Sequence, residues 1–512
     1  MPKSTAEPVR ATSGVAKRDA NRSSAFPPKI SAVVGVAVVI LAIGSAMMVN
    51  SSNPIVLPAL ATCGVAVAAL ALAGWSKLAD KTDPMVWMNI AFIAMFGMHP
   101  IAVESSGILY APYHNLYYLE PTYAAATWLG FAATVSFNAG VFVSRHMATR
   151  NSTVPHGFLD GLSEQDRAAR AKLAQTTAWL VLLLAMLAYA AFAISAGRNP
   201  IEAILGGARR GDVVSSTAYL YYAPQMIGPA TVLFLYSALL RRKRPIGAIV
   251  LCVVQLYLFL PGGQRLVLLL TLVPVVLAYF LLTGKRVATL TVVAAAVPAI
   301  ILLISMRDLG ATDGLDLIGS LSRFFENPGA QLLEFSTGDD TEMIDALAVE
   351  LQVVPSQLPH APLSVLQTTL AAPIPSLIWP SKPQPMDSIL NQYLIGTGQN
   401  NAGLAYSFVG EAYFDGGIFG VIVAFIGLGV LSNVTYSLRW RASSPAALLV
   451  YAALVPTSIS LVRGSLAYAL GRALFTVGPL VVYALVERSR SAQAVDRTVS
   501  TRASSPRAGV RQ

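Results

Sequence analysis

The sequence predicts an all-α fold, a polytopic membrane bundle of about 12 transmembrane helices with one large extracytoplasmic loop between the ninth and tenth. Three observations carry that prediction: a charge-poor composition, apolar runs of spanning length, and a one-sided distribution of lysine and arginine. Of 512 residues, 55% are hydrophobic and 12% charged, against about 25% charged in ordinary soluble domains. So few polar side chains cannot cover a water-soluble surface of this size, and so much apolar content excludes disorder over most of the length. The net charge of +10 is distributed as membrane sidedness rather than as a binding patch, and no nucleic-acid partner is expected. Cys63 and Cys252 are the only cysteines, both in apolar runs, which argues against a disulfide framework or a cysteine-ligated metal.

A bilayer core of about 30 Å needs about 20 apolar residues per helix. Runs of that kind fall at 30–49, 55–75, 85–102, 122–144, 173–197, 218–240, 245–261, 264–283, 288–306, 413–433, 446–462 and 466–486. The first follows a polar, basic tail and lacks a small-residue cleavage site, so it reads as a span rather than a signal peptide. The chain therefore divides into a disordered basic tail (1–29), nine spans (30–306), a long loop (307–405), three spans (406–486) and a second basic tail (487–512).

With both termini in the cytoplasm, 27 basic residues lie inside and nine outside, while acidic residues number nine inside and 17 outside. Every short inner loop then obeys the positive-inside rule, Arg241-Arg242-Lys243-Arg244 most strongly. The basic tails and loops read as anchors to anionic membrane lipid.

That bias makes the outward-facing cations informative. They are Arg198, Arg209, Arg210, Arg265, Arg307, Arg323, Lys382, Arg463 and Arg472. Eight of the nine are arginine, the side chain suited to bidentate phosphate binding, although each could equally anchor at the interface or pair with a carboxylate. The long loop is acidic, with eleven carboxylates against three cations. Within it, Asp339-Asp340-Thr341-Glu342 is set to open a helix whose Met343, Ile344, Leu347, Ala348 and Leu351 share one face. Such a helix is expected on the membrane surface or over the bundle. Residues 373–385 hold five prolines, which makes a semi-extended strap presenting Trp379 as an aromatic platform or interfacial anchor and Lys382 as a charge beside it. Gly410-Glu411-Ala412-Tyr413-Phe414-Asp415-Gly416-Gly417 then leads into the tenth span, with Glu411 and Asp415 one turn apart. A membrane-edge carboxylate is costly unless paired or in a polar cavity; these two could neutralise edge arginines, or one could serve as a general base.

Arginines, carboxylates and an aromatic strap on one face match an anionic lipid head carrying sugars. The chain resembles the Wzy-type O-antigen and exopolysaccharide repeat-unit polymerases. The resemblance rests on Gly262-Gly263-Gln264-Arg265 opening a span, the strap Pro375 to Pro383 in a long outer loop, and Gly410-Glu411-Ala412-Tyr413 running into Asp415-Gly416-Gly417. It covers about residues 190–433; Ser376 stands where members often carry arginine, so Lys382 is the strap's only cation.

The resemblance implies an inverting glycosyltransferase of the GT-C type, needing no metal or other cofactor. It would join oligosaccharide repeat units carried on polyprenyl diphosphate, alongside a flippase and a chain-length-regulating copolymerase. In that scheme Arg265, Arg209 and Arg210 hold the diphosphate, with Arg307, Arg323, Arg463 and Arg472 as alternatives. Glu411 is the base, Asp415 its orienter or substitute, and Trp379 a sugar platform; Tyr117 and Tyr118 read as an aromatic belt at the interface or as an extension of that platform. Two other readings stay open. An O-antigen ligase uses the same donor with a different acceptor. A lipid-linked oligosaccharide flippase or transporter would place ionisable groups at mid-depth, where these spans have almost none.

Overall fold

The computed structural model describes residues 53–75, 82–106, 120–147, 159, 161–195, 222–259, 265–285, 301, 317–338, 341–374, 378–395, 406–442 and 444–490. Over these residues every regular element is a helix. Apolar side chains on all sides, with the backbone hydrogen bonds closed internally, are what a lipid environment demands.

The helices are α1 (Val56–Trp75), α2 (Pro84–Phe92), α3 (His99–Ser106), α4 (Glu120–Met147), α5 (Glu164–Ser195), α6 (Ile227–Leu240), α7 (Ile246–Phe259) and α8 (Arg265–Thr283). Then follow α9 (Leu317–Glu326), α10 (Pro328–Ser336), α11 (Met343–Val353), α12 (Ser364–Ala371), α13 (Met386–Ile395), α14 (Phe408–Arg441), α15 (Pro445–Arg463) and α16 (Leu466–Thr476). The last, α17, is Gly478–Arg490. A π-helical segment, Ile93–Met98, joins α2 to α3 into one apolar rod.

Eight rods among the described residues are long and apolar enough to cross a bilayer, and nine if α16 and α17, bent by 48° at Val477, make one span. The chain is a multi-pass membrane protein. The expected runs 30–49 and 288–306 lie outside the described residues, apart from Ile301. Run 245–261 forms α7, only 14 residues, short of a full crossing. The faces of α5 at Trp179, Leu180, Leu183 and Leu184, and of α14 at Phe419 and Val423, are exposed and apolar, as lipid-facing surfaces are.

Packing places α4 against α14 as the most extensive helix pair among the described residues. Glycine permits that approach: a Cβ on Gly140 would strike the Ile426 carbonyl, and one on Gly429 the Phe137 carbonyl, the small-residue contact typical of membrane helices. Phe92, Phe96, Phe137 and Phe425 fill the core beside it.

Contacts of charged side chains sort to the two ends of the bundle. At one end Arg145 bonds Asp83 at 2.5 Å, Arg439 and Tyr451 bond Thr82, and Glu487 meets Arg170 and Tyr236. At the other lie the starts of α4, α6, α8 and α14 and the ends of α3, α5, α7 and α15. Helices α9–α13 carry the segment read from sequence as the long loop. Of these, α11 is not a surface cover. From Met343 to Glu350 every residue is buried, and the helix packs along α4 and reaches the π-helical turn. Its expected apolar face exists, and Asp345 and Glu350 are enclosed as well.

Candidate functional site

Glu411 occupies the first turn of α14 behind the N-cap Ser407, where a carboxylate complements the helix dipole. It is 1% exposed, and its side chain crosses to the start of α16, where Oε2 accepts the Leu466 N–H at 2.6 Å. Leu466 opens α16 behind Ser465, whose hydroxyl accepts from Tyr468 N at 3.1 Å. Glu411 thus satisfies one of the donors that a helix start leaves open. Arg463 is the last residue of α15, and only Gly464 and Ser465 separate it from that contact.

Asp415 does something different. Its Oδ1 accepts from Val365 N at 3.1 Å and so caps α12, whose own N-cap, Leu363, sits at φ +65° and gives no side-chain bond. The helix breaks immediately after Asp415. Gly416 and Gly417 leave helical geometry, and Gly417 takes φ +61°, a conformation glycine adopts without steric penalty. His360 lies against Gly417 and stacks edge-on with Tyr413 at 5.4 Å. Glu411 and Asp415 share the short helical piece before the break, but their recorded hydrogen bonds go to different helices.

Arg265 opens α8, which packs on α15, the helix that Arg463 closes. The late part of α8 shares a core with the early part of α15, so the two arginines mark the same end of the pair. Arg472 lies on α16 with its guanidinium 5.7 Å from the centre of the Tyr222 ring, an arrangement that supplies cation–π attraction. Arg323 is on α9, half-buried, away from the α14–α16 corner in sequence and element. Lys382 Nζ donates to the Ile374 carbonyl at 3.2 Å, tying the strap to itself, and Trp379 beside it is 39% exposed. Arg209, Arg210, Arg307, Tyr117 and Tyr118 lie outside the described residues.

Two features escaped the sequence reading. The first is a polar knot binding α11 into the bundle. His99 Nε2 meets Asp345 Oδ1 at 2.9 Å, Tyr123 donates to the same oxygen at 2.9 Å, and His99 Nδ1 reaches the Ser336 carbonyl at 2.6 Å. The second is Glu350, fully buried, with neither oxygen hydrogen-bonded among the described residues. Burial, then the neighbouring Glu411, holds its carboxyl well above the usual carboxylate range. Tyr406, also buried, has a phenol pushed upward by burial first, then by Glu350 and Asp387. The available signal was the presence of two acids in a largely apolar helix.

Fold and site together define a polytopic membrane protein that gathers buried carboxyls and arginine-bearing helix ends at one end of its bundle. Residues 386–491 match the family model of the O-antigen polysaccharide polymerase Wzy. The matched stretch runs from α13 to the end of α17 and contains Glu411, Asp415, Arg463 and Arg472; Arg265, Trp379 and Lys382 precede it. The resemblance read from sequence therefore holds there, extending further toward the carboxyl end than the motifs that suggested it. No curated protein matches the chain, and no solved structure does.

Proposed function

We propose that this protein is a polysaccharide polymerase of the cytoplasmic membrane. It would join polyprenyl-diphosphate-linked oligosaccharide repeat units on the outer face, as a step in O-antigen, capsule or exopolysaccharide synthesis. The observation that carries this reading is Glu411, buried and bonded to Leu466 at the start of α16, which lies between Arg463 and Arg472 in sequence, within the stretch that matches the polymerase family model.

The chemistry follows from the groups present. A hydroxyl of the acceptor repeat unit attacks the anomeric carbon of the donor glycan, the carbon–oxygen bond to diphosphate breaks, and the diphosphate leaves with the electron pair. Glu411 takes the hydroxyl proton. Attack opposite the leaving group inverts the anomeric centre, as in the GT-C type. Arg265, Arg463 and Arg472 meet the charge that grows on the diphosphate, with Arg209, Arg210, Arg307 and Arg323 as further candidates. A charge-assisted hydrogen bond contributes about 1.5–3 kcal/mol, and only the part that strengthens toward the transition state accelerates the reaction. Trp379 offers an exposed ring face to a sugar. Asp415 supports the site by holding α12 on α14.

The positive-inside count supports an outward site with both termini in the cytoplasm. A copolymerase and a flippase would supply chain-length control and substrate. The test is to give purified protein one lipid-linked repeat unit. A ladder of products is expected; transfer only to a separate, non-repeat acceptor would make the protein a ligase, and no glycan transfer would overturn the reading.

A further inference from the structure

Glu350 is the buried acid to which the proposed reaction gives no role. It projects from α11 toward the start of α14, where a Cβ on Gly410 would overlap its Oε2. It therefore touches the backbone immediately before Glu411. Its surroundings are acidic or phenolic: Glu411 and Tyr413 on α14, and Tyr406 just ahead of it. Asp387 on α13 acts on Tyr406 and Glu411. On another face of α11, His99 and Tyr123 are committed to Asp345. Both Glu350 oxygens and the Tyr406 hydroxyl are buried and have no hydrogen-bond partner among the described residues.

An ionised carboxylate taken from water and left unpaired costs several kcal/mol, and such a group keeps its proton instead. Glu411 differs, because the Leu466 N–H provides a donor for an anion. Two neighbouring carboxyls with unlike environments divide the protonated and ionised roles between them.

We propose that Glu350 and Glu411 hold one proton between them, with Glu350 as the protonated member, which makes Glu350 a positioning residue that leaves Glu411 as the anionic member of the pair, beside Asp387 and Asp415. This rests on the assignment of Glu411 as base. During transfer the hydroxyl proton passes to Glu411, both carboxyls are briefly neutral, and Glu411 returns its proton to water. Loss of the Glu350 proton at high pH would place a further negative charge beside the leaving diphosphate and stop the reaction.

The test pairs spectroscopy with turnover on the full-length protein in detergent. Infrared difference spectra of wild type minus Glu350→Gln at neutral pH are expected to show a protonated-carboxyl band in the wild type alone. Glu350→Gln is expected to polymerise within a few-fold of wild type at neutral pH and to lose the alkaline fall of the pH profile. Abolished turnover in folded Glu350→Gln, or an unchanged alkaline limb, would overturn the proposal. If Glu350→Gln does not fold, Glu411→Gln serves in its place. Removing the anionic neighbour should move the titration of the remaining band to lower pH, and no movement would refute the pairing. The infrared readout needs no activity, so a missing band refutes the pairing, whereas a present band with no wild-type glycan product refutes only the polymerase reading.

Discussion

Replacing Asp345 by alanine removes the acceptor shared by His99 and Tyr123, both of which are buried. A buried donor left unsatisfied costs about 1–3 kcal/mol, and breaking a buried pair by deleting one member costs about 3–5 kcal/mol. The loss expected for Asp345→Ala is therefore about 3–5 kcal/mol, concentrated where α11 enters the bundle. Tyr123→Phe deletes one hydroxyl and should cost about 1 kcal/mol. Apparent melting temperature in detergent, followed by tryptophan fluorescence, should rank wild type above Tyr123→Phe and Tyr123→Phe well above Asp345→Ala. Because the residues share one oxygen, Tyr123→Phe in an Asp345→Ala background should cost less than it does alone, a departure from additivity of at least about 0.5 kcal/mol. Polymer yield should fall with Asp345→Ala as well, since α11 also carries Glu350. Equal melting for all three proteins, or strict additivity, would refute the view that this knot holds the inserted helix.

Other expectations are equally specific. Asp415→Ala should cost about 1 kcal/mol through the lost cap on α12, with polymer formation reduced far less than by any change at Glu411; a drop equal to that of Glu411→Gln would make Asp415 part of the chemistry. Arg265→Ala and Arg472→Ala should each lower turnover about 10-fold or more, the equivalent of one charge-assisted bond, and lysine should not restore it because the planar fork is lost. Normal polymer length and amount in cells carrying Arg265→Ala would remove that residue from the diphosphate site. A cysteine at exposed Ser381, in a chain lacking Cys63 and Cys252, should react with a membrane-impermeant maleimide in intact cells; labelling only after lysis would reverse the sidedness.

Much of the architecture could be read from hydropathy, because the spacing that lipid imposes on a helix is visible in a linear chain. The start of α14 was legible for a local reason. Glu411 and Asp415 lie four residues apart in one short stretch, so their shared turn is written locally, whereas the Ser407 cap and the break at Gly416 and Gly417 emerged only in the structure. What Asp415 bonds was not legible, because Val365 is distant in the chain and its helix lacks a side-chain cap of its own. The same holds for α11. Its amphipathic pattern suggested a lid, but the helix is enclosed on all sides, and its two acids become informative only once His99, Tyr123 and Glu411 are brought beside them. Lys382 shows the converse: a cation prominent in sequence is tied to the carbonyl of Ile374 in its own strap.

The most direct measurement is a single-turnover comparison of wild type with Glu411→Gln, using purified protein and a polyprenyl-diphosphate-linked repeat unit. Glutamine keeps the size of the side chain and its ability to accept from Leu466 but cannot take a proton at neutral pH. The account predicts that Glu411→Gln binds the lipid-linked substrate and forms no glycosidic bond. A ladder produced by Glu411→Gln at the wild-type rate would contradict it.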